Sequence, residues 1–152
     1  MQYRLPIDTK KYEFICQICD TYIHELSKHC RECNRCVEVF DHHCQWLNNC
    51  IGIANYRSFL MLISLYLALS ILIFGLSIHF LIKLYFSGTY SQHLYVFTYI
   101  LLIMSSIKTI ALTHLFGLHT FLIMNNMTTF DYIMEEREIN ELREHLKQEI
   151  IT

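Results

Sequence analysis

Hydrophobic and polar positions divide this chain into three stretches. From Phe59 to Ile82 run 24 residues without Asp, Glu, Lys or Arg; as a helix they would reach about 36 Å and cross a hydrocarbon core with some tilt. A second apolar run, Leu94 to Met124, carries one Lys and two His. At helical rise it would reach about 46 Å, so it tilts or emerges from the bilayer at one end. The polar stretch Ser87–His93 between them predicts a helical hairpin over residues 58–124. Beyond it, Ile139, Leu142, Leu146 and Ile150 recur at intervals of three, four and four, which predicts an amphipathic helix over Thr129–Thr152. Thr128-x-x-Asp131 is its start signal, although a capping box usually ends in Glu or Gln.

Charge orients these elements. The loop Ser87–His93 has no Lys or Arg while both flanks have several, so the positive-inside tendency places both flanks in the cytosol. Seven acidic and three basic residues from Asp131 onward argue against anchoring the tail to anionic lipid. Its apolar stripe suits packing on the rest of the chain or on a partner. The net charge of −2 is too small to argue for nucleic acid. Within the second span, Ser105, Thr109 and Thr113 form a small-residue stripe suited to helix packing. Lys108, His114 and His119 are expected to turn toward protein, water or headgroups.

All seven cysteines fall between Cys16 and Cys50. A disulfide framework is opposed by the odd count, by the interleaved histidines and by the stretch before Asp8, which is neither signal nor transit peptide. The order is Cys16-x2-Cys19, then His29-Cys30-x2-Cys33-x2-Cys36, then Asp41-His42-His43-Cys44, then Cys50. Paired Cys-x2-Cys knuckles suit the tetrahedral geometry of zinc. Two closed sites need eight donors, and seven Cys with His24, His29, His42 and His43 exceed that. Adjacent donors on extended backbone point apart, so His29 and Cys30 are expected to serve different metals, and the same logic separates His42 from His43; cross-braced sites follow. Asp41, His42 and Cys44 also have the chemistry of an activated thiol: an imidazole to take its proton and a carboxylate to orient that imidazole. Spacing alone leaves Cys44 open as nucleophile or as zinc ligand.

Asp41-His42-His43-Cys44 in this Cys/His frame resembles the DHHC family of palmitoyltransferases. The match continues through Trp46, Asn49-Cys50, Gly52, Asn55 and Phe59, and Thr128-Thr129-Phe130-Asp131 is similar to the family's T-T-x-E motif. The resemblance implies one structural zinc on Cys16, Cys19, His29 and Cys36 and a second on Cys30, Cys33, His43 and Cys50. It implies Cys44 as the acylated nucleophile, His42 as general base and Asp41 as its orienting group. It further implies a protein S-acyltransferase that takes a long-chain fatty acyl group, such as palmitate, from acyl-CoA through a thioester on Cys44. Cysteines of membrane-proximal substrate proteins would receive it.

The implied fold is a mainly α membrane protein in four parts: an N-terminal segment (1–15), a cytosolic, irregular or β-hairpin zinc domain (16–57), a transmembrane hairpin (about 59–82 and 94–124), and a tail (125–152) with the amphipathic helix. The implied home is an endomembrane or plasma-membrane bilayer, with an accessory or homo-oligomeric subunit. Three departures accompany the resemblance. Two spans stand where the family has four or more, which suggests an absent N-terminal pair. Ile23-His24-Glu25-Leu26 replaces a Pro- and Arg-rich run, and Asp131 replaces Glu. A catalytically weak, zinc-braced scaffold is the alternative reading.

Overall fold

The computed structural model describes residues 14–88 and 91–151, so most of the N-terminal segment 1–15 and the middle of the Ser87–His93 loop lie outside the described residues. Six three-residue strands come first: β1 Phe14–Cys16, β2 Thr21–Ile23, β3 Lys28–Cys30, β4 Arg35–Val37, β5 His42–Cys44 and β6 Asn49–Ile51. Three helices follow: α1 Tyr56–Ser87, α2 Gln92–Met124 and α3 Thr129–Ile151. Contacts divide the chain into two units. One joins the hairpins to the residues from Phe121 onward, and the other is Ser58–Thr120.

The strands pair as three antiparallel hairpins, β1–β2, β3–β4 and β5–β6. They are one motif repeated every 14 residues. Cys16 pairs with Thr21, Cys30 with Arg35 and Cys44 with Asn49. Each four-residue loop ends in a left-handed residue, Asp20, Asn34 or Asn48, with φ of 50°, 47° and 46°. Asp and Asn tolerate that conformation better than other side chains that carry a Cβ. Little apolar material supports the hairpins: the buried hydrophobic residues there are four cysteines, Val39 and Ile51.

The connection after β4 is tight. Asp41 N donates to Ile51 O (2.9 Å) and Ile53 N to Glu38 O (3.2 Å), so residues 38–41 lie along the backbone after β6. Val39 is forced to φ 44° there, a strained setting for a β-branched residue. A Cβ on Gly52 would stand 2.7 Å from Val37 Cγ1 and 2.8 Å from Glu38 O, so only glycine fits. Asn55 secures the exit into α1: its Oδ1 accepts from Gly52 N at 3.0 Å and its Nδ2 donates to Cys50 O at 2.9 Å.

Both long helices overrun the apolar stretches that predict them. Helix α1 takes in Arg57 and Lys83, and α2 begins two residues before Leu94; neither helix meets a proline at the edge of its apolar run to stop it there. Fewer than one in five residues in either apolar window is buried, which is the pattern of lipid-facing rather than soluble core helices. Buried positions on α1 are Phe59 and then Ile63, Ser70, Ser77 and Leu84, the last four at a seven-residue period that matches left-handed, near-aligned helix packing. On α2, Thr98 and Ser105 hold the same interval. Ser70 Oγ lies 2.7 Å from Thr109 Oγ1. Ser77 and Thr98 donate to the carbonyls of Ile73 and Leu94, both at 2.8 Å, so each hydroxyl is satisfied within its own helix. The small-residue stripe is shorter than its sequence spacing suggests. Ser105 is buried and Thr109 half-buried, but Thr113 is exposed, because positions eight apart drift about 80° around a helix of 3.6 residues per turn.

Helix α2 ends in a Schellman turn. Asn126 is left-handed (φ 53°), Met127 N donates to Leu122 O (3.1 Å) and Asn126 N to Ile123 O (3.3 Å). Helix α3 then begins on a complete capping box. Asp131 N donates to Thr128 Oγ1 and Thr128 N to Asp131 Oδ2, both at 3.1 Å, so the aspartate closes the box as Glu would. The Ile139–Leu142–Leu146–Ile150 stripe on α3 is exposed. Replacing Gly52 by Ala should destabilise the hairpin unit by about 1–3 kcal/mol through overpacking, read as a lower temperature of zinc release in the purified protein.

Candidate active site and metal centres

Each Cys-x2-Cys knuckle closes one hairpin, and the next hairpin supplies a cross-strand His/Cys pair. His29 is directly opposite Cys36, and His43 opposite Cys50. Cys16, Cys19, His29 and Cys36 thereby gather with their donor atoms within 4.8 Å of one another, and so do Cys30, Cys33, His43 and Cys50. Adjacent residues on a strand face opposite ways, which sends His29 to the first cluster and Cys30 to the second.

The spacing of the donors suits zinc. From His29 Nδ1 the three sulfurs lie at 3.2, 3.7 and 3.9 Å. From His43 Nδ1 they lie at 3.3, 3.6 and 3.7 Å. A tetrahedral ion about 2.3 Å from sulfur and about 2.0 Å from nitrogen sets donors roughly 3.5–3.8 Å apart. All seven cysteines are free thiols.

The acidity of the thiols points the same way. Burial, reinforced by the thiols of Cys16 and Cys19, pushes Cys36 up to about 12. Burial beside Cys30 and Cys33 likewise pushes Cys50 up to about 12. The amide of Cys19 leads in holding Cys16 below the ordinary thiol range. At Cys30 burial acts upward, yet the amides of Cys33 and Glu32 and the Cys50 thiol outweigh it and lower the value. Neither cluster sheds all its protons unaided, and a divalent cation supplies the charge that lets it do so. The two clusters can therefore each hold a zinc ion, with every coordination position taken by protein.

The repeat explains why Cys44 stands apart. Cys44 occupies the place of Cys16 and Cys30, but the second knuckle position, filled by Cys19 and Cys33, is Leu47 in the third hairpin. Cys44 is buried and belongs to neither cluster. His42 and Cys44 lie two apart on β5, so they share the strand face opposite His43. His24, the other surplus histidine, accepts a hydrogen bond from Leu26 N at 3.2 Å and joins neither cluster.

Asp41 organises the remainder. It is 3% exposed, and His42 Nδ1 lies 2.7 Å from its Oδ2. The first turn of α3 holds the same carboxylate: Thr129 N donates to Oδ1 at 2.9 Å and Thr129 Oγ1 to Oδ2 at 2.8 Å. Burial acts to raise the Asp41 pKa, but the bonds to His42 and Thr129 outweigh it and hold the carboxyl below the usual range. An ionised Asp41 fixes the His42 proton on Nδ1 and leaves Nε2 as the basic nitrogen. The positive end of α3 stabilises the anion. Phe130 packs edge-on against Phe40, with ring centroids 6.0 Å apart, and Lys28 Nζ sits 5.4 Å from its ring.

Sequence reasoning places Thr129 in a motif without its partner, since the bond spans 88 positions. The only local signal is a threonine at the first position of a capped helix, next to the capping residue. The 14-residue period, by contrast, is visible in the sequence once the hairpins are aligned.

The family model for DHHC palmitoyltransferase matches residues 9–136. No curated protein matches the chain.

Purified protein should carry two zinc ions per chain by elemental analysis. Cys33→Ser should lower the content toward one, because a three-donor site binds far more weakly. Cys44→Ser should keep both; loss of an ion there would make Cys44 a ligand.

Proposed function

The chain belongs to the DHHC palmitoyltransferase family, and from that membership we propose that it is a protein S-acyltransferase with Cys44 as its nucleophile. The observation that carries this reading is the separation of roles within one repeated motif. Eight donors are taken up by two closed clusters, while Cys44, the remaining thiol, shares a strand face with a histidine anchored to a buried carboxylate.

The proposed reaction has two steps. His42 Nε2 takes the Cys44 proton, and the thiolate attacks the thioester carbonyl of a long-chain acyl-CoA. The C–S bond to CoA breaks, and CoA leaves as its thiol on receiving a proton. The acyl group then rests on Cys44 as a new thioester. A cysteine thiol of a substrate protein, deprotonated in turn by His42, takes the acyl group and restores the Cys44 thiol. Asp41 stabilises the imidazolium formed in each step, as in other nucleophile–base–carboxylate arrangements. Thr129 acts through Asp41 as a positioning residue. Zinc, when bound, supplies rigidity to the hairpins and takes no part in the bond changes.

In this reading α1 and α2 span an endomembrane or plasma-membrane bilayer, with the hairpin unit on the cytosolic side. A site there meets a lipid chain and a soluble CoA head together, and its protein substrates carry cysteines close to the membrane.

Zinc-loaded protein in lipid vesicles should take up label from radioactive palmitoyl-CoA in a form that hydroxylamine releases. Cys44→Ser should abolish the label while keeping zinc. His42→Ala should slow labelling by about 10²–10⁴-fold. Thr129→Val should slow it about tenfold, the effect of a lost hydrogen bond to a charged group. A folded wild type that takes up no label would favour the scaffold reading.

A further inference from the structure

One polar side chain beside Cys44 has no part in the sites described above. Asn49 is the cross-strand partner of Cys44, as Ile51 is of His42. Directly opposed residues of an antiparallel pair project to one face, with Cβ atoms roughly 5 Å apart. His43 and Cys50 turn to the second metal cluster, so the other face of β5–β6 carries Cys44, His42 and Asn49. The first two are the proposed nucleophile and base. The third is a half-buried carboxamide.

The orientation of that carboxamide is fixed. Arg35 Nη2 donates to Asn49 Oδ1 at 2.7 Å. A guanidinium has donors only, so the amide oxygen faces Arg35 and Nδ2 is turned away. Among the described residues nothing accepts from Nδ2. The bond also strengthens what Nδ2 can do, since a cation on the oxygen polarises the amide and makes its N–H groups better donors. Attack on a thioester turns its carbonyl oxygen into an alkoxide, and a donor aimed at that oxygen accelerates the step. His42 Nε2 keeps its proton for the departing sulfur, so the alkoxide needs another donor.

We propose that Asn49 is a catalytic residue of the acyl-transfer site, its Nδ2 donating to the oxyanion of the tetrahedral intermediate, with Arg35 as the positioning residue that aims it. The inference deepens the acyl-transfer reading and rests on it. The Cys44 sulfur bonds to the thioester carbon, and the C=O electron pair moves to oxygen, where the Asn49 N–H meets it. The pair returns as the C–S bond to CoA breaks, and the His42 imidazolium gives its proton to the CoA sulfur. Transfer to a substrate cysteine passes through the same kind of intermediate and uses the same donor.

The test compares two reactions of Cys44 in the zinc-loaded full chain in lipid vesicles. Acylation by palmitoyl-CoA forms an oxyanion. Alkylation by iodoacetamide, followed at Cys44 by peptide mass spectrometry, needs the thiolate but forms none. N49D keeps an acceptor for Arg35 yet has no N–H to give, and N49L removes the amide without adding charge. Both should slow acylation about 10²–10³-fold, while alkylation stays close to the wild-type rate and zinc is retained. R35M should slow acylation about tenfold, with R35K slowed less and alkylation unchanged in both. R35M combined with N49L should be no slower than N49L alone, because Arg35 acts through Asn49.

Acylation slowed less than about tenfold in zinc-loaded N49D and N49L would overturn the proposal. So would alkylation that falls in step with acylation, or loss of zinc in both variants, since either assigns Asn49 to the thiol or to the fold. Effects of R35M and N49L that add in full would overturn the part given to Arg35. A wild type alkylated at Cys44 but unlabelled by palmitoyl-CoA would overturn the acyl-transfer reading itself, and this proposal with it.

Discussion

The hairpin unit depends on thiolate and imidazole donors drawn to a common centre. Six strands of three residues bury very little apolar surface, far less than a domain needs to offset the entropy of ordering its chain. Metal bound by the two Cys/His clusters would make up the shortfall. Because each takes its knuckle from one hairpin and its cross-strand pair from the next, the three hairpins form a single braced series. The strain at Val39 and the exclusion of a Cβ at Gly52 show how closely the intervening backbone is drawn in.

That bracing also sets apart the thiol proposed as nucleophile. A third knuckle has its first cysteine but a leucine at its second position, so its thiol is held in ligand-like geometry with no metal partner. The strand that supplies His43 to the second cluster presents His42 and Cys44 on its other face. One three-residue strand therefore serves both a cluster able to hold zinc and the proposed nucleophile. The carboxylate next to it is secured from afar: Thr129, at the start of α3, gives it two hydrogen bonds. The capping box on Thr128 and Asp131 is thus more than a helix start, since it orients the amide and hydroxyl that hold Asp41 ionised.

The helical unit follows a different rule. Its seam is made of small hydroxyl residues at seven-residue spacing, with each hydroxyl satisfied by backbone or by a partner hydroxyl. Among the buried polar side chains of the described residues, no nitrogen or oxygen lacks a partner.

The sequence by itself determined the elements with local causes. The two apolar runs, the periodic tail and the Cys/His module follow from composition and spacing, because span length, helical period and knuckle geometry are short-range properties. The four donors of each cluster were legible too, though only through the family resemblance, since counting left eleven candidates for eight places. Tertiary structure decided the rest. It turned Thr113 away from the helix seam through helical drift and brought Thr129 to Asp41 across 88 positions. A hydrogen bond between residues so far apart leaves no local periodicity or composition to read, because it exists only once the helix and the hairpins have folded.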